Sequence, residues 1–277
     1  AKAHCQRTTL LRKCCLPGFL TFSWLSPHPI VNGIGLFFLT VSYWCVYEVG
    51  YQENDRMGEK YEHQPSLSEN YVRYNKQINL NTPLPWCWAI ALAVPGLCLV
   101  ALSRLDMAFV FNVSNILEQL ALLPQSLFVE LSTALLRDTA IWVAFLISVR
   151  LTFWLYNQFD EATRLWVYPF LQTQRMFCFT LLLSTNAVGA VLLLSLVLAR
   201  WIQYCVYRCG GDRTKLPPNV SCTLIFTLLL AMVAISHPEP TNTMIVQAAI
   251  AFSYCLIRSV GTIRRIFSQF QLLRHSQ

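Results

Sequence analysis

Long apolar runs recur along this sequence and restrict its possible folds more than any other feature. A helix needs about 20 predominantly apolar residues to cross the ~30 Å hydrocarbon core of a bilayer, and runs of about that length occupy 30–50, 139–156 and 176–198. Only 13% of the 277 residues are charged, whereas 55% are hydrophobic. Because a water-soluble domain could not cover so much apolar surface, we expect an all-α, polytopic transmembrane helical bundle.

The apolar runs predict about seven to nine membrane spans in a single transmembrane domain covering residues 1–277. A polar stretch at about 51–83 carries too much charge to lie in lipid and is predicted to be a cytoplasmic loop. Further, shorter spans are predicted at 16–26, 85–102, 221–236 and 244–257.

The middle of the chain allows two topologies. Residues 109–136 are apolar but contain Asn112, Glu118 and Pro124, so they form either a kinked span or a helix in the membrane interface. If they cross once, the loop near Asp160 lies outside the cell. If they lie in the interface and 165–206 crosses twice, that loop is cytoplasmic, and burial of Arg175 costs several kcal/mol unless a partner offsets it.

The net charge of +7 comes from basic residues in short clusters between apolar runs. By the positive-inside rule, the loop at 200–215 and the tail at 258–274 are cytoplasmic, and the turn at 237–242 is external. No basic stripe with interleaved aromatic residues is present, so we expect no nucleic-acid partner. The expected surroundings are membrane lipid, and the expected location is an integral, multi-pass position in a membrane.

An acidic cluster follows the second apolar run. On a helix, Asp55, Glu59 and Glu62 stand at positions i, i+4 and i+7 and share one face. Carboxylates stacked in this way repel one another unless a cation binds them, and their oxygens suit Mg²⁺ together with a diphosphate. The alternative is a solvated, charged exit from a membrane helix, with Arg56 and Lys60 neutralising the acids.

A second polar cluster follows the apolar run at 139–156. Asn157, Asp160 or Glu161, and Arg164 share one helical face. One interpretation is a surface ion pair between Asp160 and Arg164, worth only ~0.3–0.5 kcal/mol. The other is a second half-site, in which two acidic helix ends hold Mg²⁺ and a diphosphate while Arg164 and Arg175 bind phosphate oxygens.

The two clusters resemble the motifs of the UbiA superfamily of intramembrane prenyltransferases, which are all-helical bundles with a lateral opening to lipid. That family's first motif reads Asn-Asp-x-x-Asp-x-x-x-Asp. Asn54 and Asp55 match its start and Glu62 matches its last acid. Gly58 occupies the middle acid position, and Glu59 follows one residue later.

The family's second motif reads Asp-x-x-x-Asp. Asp160 matches its first position, and Arg164 stands where the second acid would be. The sequence around Asn54, together with Tyr156-Asn157 and Arg164, is similar to that of a divergent bacterial branch of the superfamily. The resemblance covers about 30 residues, and it implies a bacterial inner membrane location.

The resemblance implies Mg²⁺-dependent transfer of a polyprenyl group from its diphosphate to an unknown acceptor. It implies metal binding by Asn54, Asp55, Glu59, Glu62 and Asp160. It implies catalytic roles for Asp55, Asp160 and Arg164, and substrate binding by Asn157, Arg164 and Arg175. Two other functions stay open: a non-catalytic UbiA-like scaffold or subunit of a membrane complex with protein partners, and a transporter of lipids or small molecules.

Overall fold

The computed structural model describes residues 26–61, 67–74, 83–104, 125–160, 163–178, 187–212, 216–236 and 239–275. The predicted span at 16–26 falls almost wholly outside these ranges, as do Glu62, Glu161 and residues 109–124. The described ranges form eight helices and no strand: α1 (Pro29–Tyr61), α2 (Glu69–Tyr74), α3 (Leu84–Leu102), α4 (Gln125–Gln158), α5 (Arg164–Phe177), α6 (Ala187–Arg208), α7 (Pro218–Ser236) and α8 (Asn242–His275).

Six of these helices contain a stretch that is long and apolar enough to cross a membrane. They are Pro29–Tyr61, Leu84–Leu102, Leu131–Gln158, Ala187–Arg208, Pro218–Ser236 and Asn242–Ile266. The prediction of an all-helical fold is confirmed, and the chain is an integral, multi-pass membrane protein.

The helix ends differ from those that hydropathy suggests. α1 continues past Gly50 to Tyr61, so Asp55 and Glu59 lie on a helix, as their proposed shared face requires. The predicted start of a span at Met176 is wrong, because Met176 belongs to the last turn of α5 and the next described helix begins at Ala187. The run is apolar on both sides of this boundary, so hydropathy alone does not place a helix end there.

α5 answers part of the topology question. Its 14 residues span ~21 Å, which is too short to cross ~30 Å of hydrocarbon. Within the described part of 165–206, Ala187–Arg208 is the one helix long and apolar enough to cross. α5 is amphipathic, because it buries Val167 and Leu171 and exposes Trp166.

The chain forms two compact units, of which the first holds α1 to α4 and the second holds α5 to α8. In the first unit, α1 and α3 pack antiparallel at very short range. Gly35 meets Val100 and Gly96 on α3, and small residues permit such an approach between membrane helices. Farther along α1, the Ser42 hydroxyl donates to the Ala89 carbonyl at 2.7 Å.

Aromatic side chains join α1 to α4 and show that these helices run parallel. The Tyr43 ring stacks on Phe145 with centroids 5.8 Å apart. One turn later, Tyr47 meets Phe153 edge-on at 4.9 Å, and Gly50 lies against the same Phe153 ring. Because α3 is antiparallel to α1, the end of α3 and the entry to the apolar part of α4 lie at one end of the unit.

In the second unit, each helix packs against the next along the chain. The Trp201 indole of α6 donates to the Leu165 carbonyl of α5 at 3.1 Å. α7 and α8 run antiparallel, and hydroxyl groups join them, with Thr223 Oγ1 2.7 Å from Ser259 Oγ. Such polar contacts between membrane helices contribute about 0.6 kcal/mol each.

Candidate functional site

The candidate site lies at the end of the first unit where α1 and α4 leave their aromatic contacts. Asn54 continues the α1 face that carries Tyr47 and Gly50, and Asn157 lies one turn after Phe153 on α4. Since Gly50 meets Phe153 and the helices are parallel, one further turn on each brings Asn54 and Asn157 to the same level. The first polar cluster and the start of the second therefore lie at the same end of this unit.

Several polar atoms at this end are buried and lack a hydrogen-bond partner among the described residues: Asn54 Oδ1, Asn157 Oδ1 and Arg150 Nη1. Arg150 stands on α4 and donates through its other Nη to Glu53 Oε1 on α1 at 2.6 Å. An unpaired buried polar group costs about 1–3 kcal/mol. Such groups require a partner, which a water molecule, an ion or a polar ligand can supply.

Asp55 and Glu59 accept hydrogen bonds from the short helix α2 and from Ser68, the residue just before it. Asp55 is buried, and its Oδ2 accepts from the backbone N–H and the hydroxyl of Ser68. The Tyr71 hydroxyl donates to Glu59 Oε2 at 2.6 Å. Burial of Tyr71, followed by this bond to a carboxylate, raises the pKa of the Tyr71 hydroxyl above its ordinary value. The two acids thus hold Ser68 and α2 against α1.

The side-chain oxygens at this end are of the kinds that bind a hard cation. Amide and carboxylate oxygens are ligands that Mg²⁺ accepts, and Asn54 and Asn157 each present a buried amide oxygen that lacks a described partner. No group of three His, Cys, Asp or Glu side chains within the described ranges is arranged to hold a metal ion.

The second cluster belongs mainly to the second unit. Asp160 is exposed, and its Oδ1 accepts from the Thr163 backbone N–H at 2.9 Å and from the Thr163 hydroxyl. The two bonds from Thr163 lower the pKa of the Asp160 carboxyl. Arg164 is buried, and its Nε donates to the Phe159 carbonyl at 3.0 Å. Asp160 and Arg164 thus stabilise the turn between α4 and α5.

The structure brings together Asn54, Asp55 and Glu59 on α1 with Asn157 on α4. Asp160, Arg164 and Arg175 lie in the second unit, so these residues form a separate group. The α2 anchors Ser68 and Tyr71 carry no sequence signal that identifies them. The sequence does offer a signal for Arg150, because a charged residue inside a membrane span is commonly functional.

Comparison with known protein families, with characterised proteins and with solved structures finds no match for this chain.

Proposed function

We propose that this protein is a UbiA-like intramembrane prenyltransferase that moves a polyprenyl group from its diphosphate to an acceptor. The observation that supports this most strongly is the end of the first unit where Asn54, Asn157 and Arg150 bury polar atoms without a described partner. The proposal includes the finer expectations from the sequence: a UbiA-like bundle of about seven to nine spans and a bacterial inner membrane location.

The diphosphate head of the donor suits the polar end. Arg150 Nη1 is a buried guanidinium donor, and a guanidinium binds phosphate oxygens strongly. The sequence resemblance additionally implies phosphate binding by Arg164 and Arg175, which belong to the second unit. Mg²⁺ bound through Asn54, Asp55 and Glu59 would offset the negative charge that develops on the leaving diphosphate.

We place the prenyl chain at the aromatic contacts, which lie one turn from Asn157 on α4 and two to three turns from Asn54 on α1. Tyr43, Tyr47 and Phe153 are buried between α1 and α4. In the proposed step, the bond between the allylic carbon and the diphosphate oxygen breaks, and its electron pair stays on the diphosphate. A nucleophilic atom of the acceptor forms the new bond to that carbon and loses its proton. Neighbouring aromatic faces favour the transient allylic cation.

A non-catalytic scaffold or subunit of a membrane complex is the second candidate. It is favoured by the hydrogen bonds that Ser68 and Tyr71 make to Asp55 and Glu59, because carboxylates that hold a segment in place are less available to a metal. This candidate predicts stable copurification with partner subunits.

The proposal is tested by the binding of a non-hydrolysable prenyl thiodiphosphate to the purified protein, with Mg²⁺ and with a chelator. We expect Mg²⁺-dependent binding that weakens at least about tenfold in Asp55→Ala and in Asn157→Ala, because each loses an oxygen ligand. Lys60→Ala is the matched control, since Lys60 is an exposed cation near the same end of α1. Absence of binding in a folded sample, or equal losses in all three variants, would overturn the proposal.

A further inference from the structure

Arginines gather at one end of the second unit. Gln203 on α6 donates to the Leu216 carbonyl at 3.2 Å, and Asn219 on α7 donates to the Arg258 carbonyl on α8 at 3.3 Å. These contacts place the end of α6, the start of α7 and the latter part of α8 at the same level. We call this region the arginine end; it contains Arg200, Arg208, Arg258, Arg264 and Arg265.

Basic residues outnumber acidic residues in the second unit. Residues 158–277 hold ten Lys or Arg against four Asp or Glu, and one of those acids, Glu239, lies in the turn between α7 and α8 at the opposite end. A partner with negative charge is therefore complementary to this end.

α8 carries two of these arginines past the hydrocarbon. Its 34 residues extend ~51 Å, whereas about 20 residues suffice for the ~30 Å core. Counted from Asn242, that length is used up before Arg264 and Arg265, and both side chains are exposed. They consequently stand where the phosphate groups of a lipid leaflet begin.

The amphipathic helix α5 independently indicates that this end of the unit lies at the level of the lipid headgroups. It packs on the final turns of α6, where Tyr168 stacks on Tyr204 with centroids 4.1 Å apart. Two aromatic residues of α5, Trp166 and Phe170, are nevertheless 65% and 66% exposed. Short amphipathic helices with exposed Trp and Phe lie in the headgroup region of a bilayer.

From this juxtaposition we infer that the arginine end of the second unit binds the headgroups of anionic phospholipids, with α5 lying beside them in the membrane interface. Arg264 and Arg265 provide the exposed positive charge, and Trp166 and Phe170 insert beside the headgroups. The binding needs no soluble ligand and is independent of the proposed prenyl transfer.

The test measures retention of phosphatidylglycerol and phosphatidylcholine by the purified protein in a zwitterionic detergent. We expect a preference for phosphatidylglycerol that falls on the order of tenfold in the double variant Arg264→Gln/Arg265→Gln. The double variant Arg264→Lys/Arg265→Lys keeps the charge and should keep the preference. Lys60→Gln/Arg73→Gln removes two exposed cations of the first unit and should leave it unchanged.

Three results would overturn the inference. Equal retention of both lipids would exclude a role for headgroup charge. An equal loss in Lys60→Gln/Arg73→Gln would show that net charge, rather than this end, sets the preference. Displacement of the lipid by glycerol phosphate would identify a site for a soluble phosphate compound instead of a lipid surface.

Discussion

The two ends of the first unit differ in how their charged groups are satisfied. At one end, Asp138 is buried, with Oδ2 accepting from Arg104 at 2.6 Å and Oδ1 accepting from Arg137 at 3.2 Å. At the other end, Arg150 binds Glu53 with one Nη, and its other Nη lacks a described partner. Groups that are fully paired stabilise the fold, whereas groups left unpaired cost stability that a ligand can restore.

The difference extends to the uncharged polar residues, with one exception. Asn54 and Asn157 each bury an amide oxygen without a described partner at the Arg150 end. The exception is Asn32 at the Asp138 end, whose buried Nδ2 lacks a described partner. Its Oδ1 is 3.4 Å from the Ser103 hydroxyl. The contrast therefore depends on the charged groups and on the two amide oxygens of Asn54 and Asn157. The variants below test it.

The largest effect is expected from Asp138→Ala. Its removal leaves Arg104 without its carboxylate partner at a site where Asp138 is 2% exposed and Arg104 is 30% exposed. We expect a loss of about 2–3 kcal/mol of unfolding free energy, below the range for a fully buried pair because Arg104 is partly solvated. Thermal unfolding in detergent measures it.

Arg137→Gln is the control for this end. Arg137 contacts the same carboxylate but is 64% exposed, so its loss should cost less than about 0.5 kcal/mol. Equal effects of the two substitutions would show that burial of Asp138 does not determine its contribution.

Gly50→Ala tests the contact that sets the register of α1 and α4. A Cβ at Gly50 would overlap the Phe153 ring, so we expect a loss of about 1–2 kcal/mol from overpacking. Gly261→Ala is the matched control, because a Cβ there meets nothing within 4 Å, and it should be neutral or slightly stabilising. Phe153→Leu should recover part of the loss in the double variant, and additive effects would argue against this register.

Asn54→Leu and Asn157→Leu separate stability from binding. Since each amide oxygen is buried without a described partner, which costs stability, an apolar side chain of similar size should leave the unfolding free energy unchanged or raise it. Binding of the prenyl thiodiphosphate should nevertheless be lost.

The control for this pair is Thr223→Val in the second unit, because the Thr223 hydroxyl is hydrogen-bonded to Ser259 and to the Cys255 carbonyl. Its loss should cost about 0.6–1 kcal/mol. If the Asn variants lose more stability than Thr223→Val, their amides support the fold and the binding interpretation fails.

The smallest effect concerns pH and the hydroxyl of Tyr71. Because burial and the bond to Glu59 raise the pKa of Tyr71 from 10.0, the stability it contributes is fully present below about pH 10 and is lost as pH rises through the raised pKa. The protection of the α2 amides, corrected for the intrinsic base-catalysed exchange rate, should therefore fall at alkaline pH. In Tyr71→Phe this protection should be lower at neutral pH, by a factor that corresponds to ~0.5 kcal/mol, and should respond less to alkali.

Much of the fold could be predicted from the sequence because hydropathy reports directly on membrane spans. The spans at 85–102 and 221–236 lie within α3 and α7. Hydropathy could not place the end of α5 at Phe177, since the chain stays apolar beyond it. It also could not show that α1 continues to Tyr61, because a helix that leaves lipid need not end there.

The candidate site was partly accessible to sequence reasoning. The spacing of Asp55 and Glu59 predicts their shared helical face, but it gives no sign that Ser68 and Tyr71 bind these acids. Those contacts link residues 12 or 13 positions apart, and Ser and Tyr are too common to mark them. The spacing also suggests a pair between Asp160 and Arg164, but it gives no sign that Thr163 donates to Asp160 or that Arg164 donates to the Phe159 carbonyl.

The most direct test of the account is photolabelling with a prenyl diphosphate analogue that carries a photoreactive group on its chain. The account predicts labelled peptides from α1 and α4 around Tyr47 and Phe153, with protection by excess unlabelled prenyl diphosphate. Labelling that excess ligand does not reduce, or that is confined to α7 and α8, would contradict a binding site at the Asn54 and Asn157 end of the first unit.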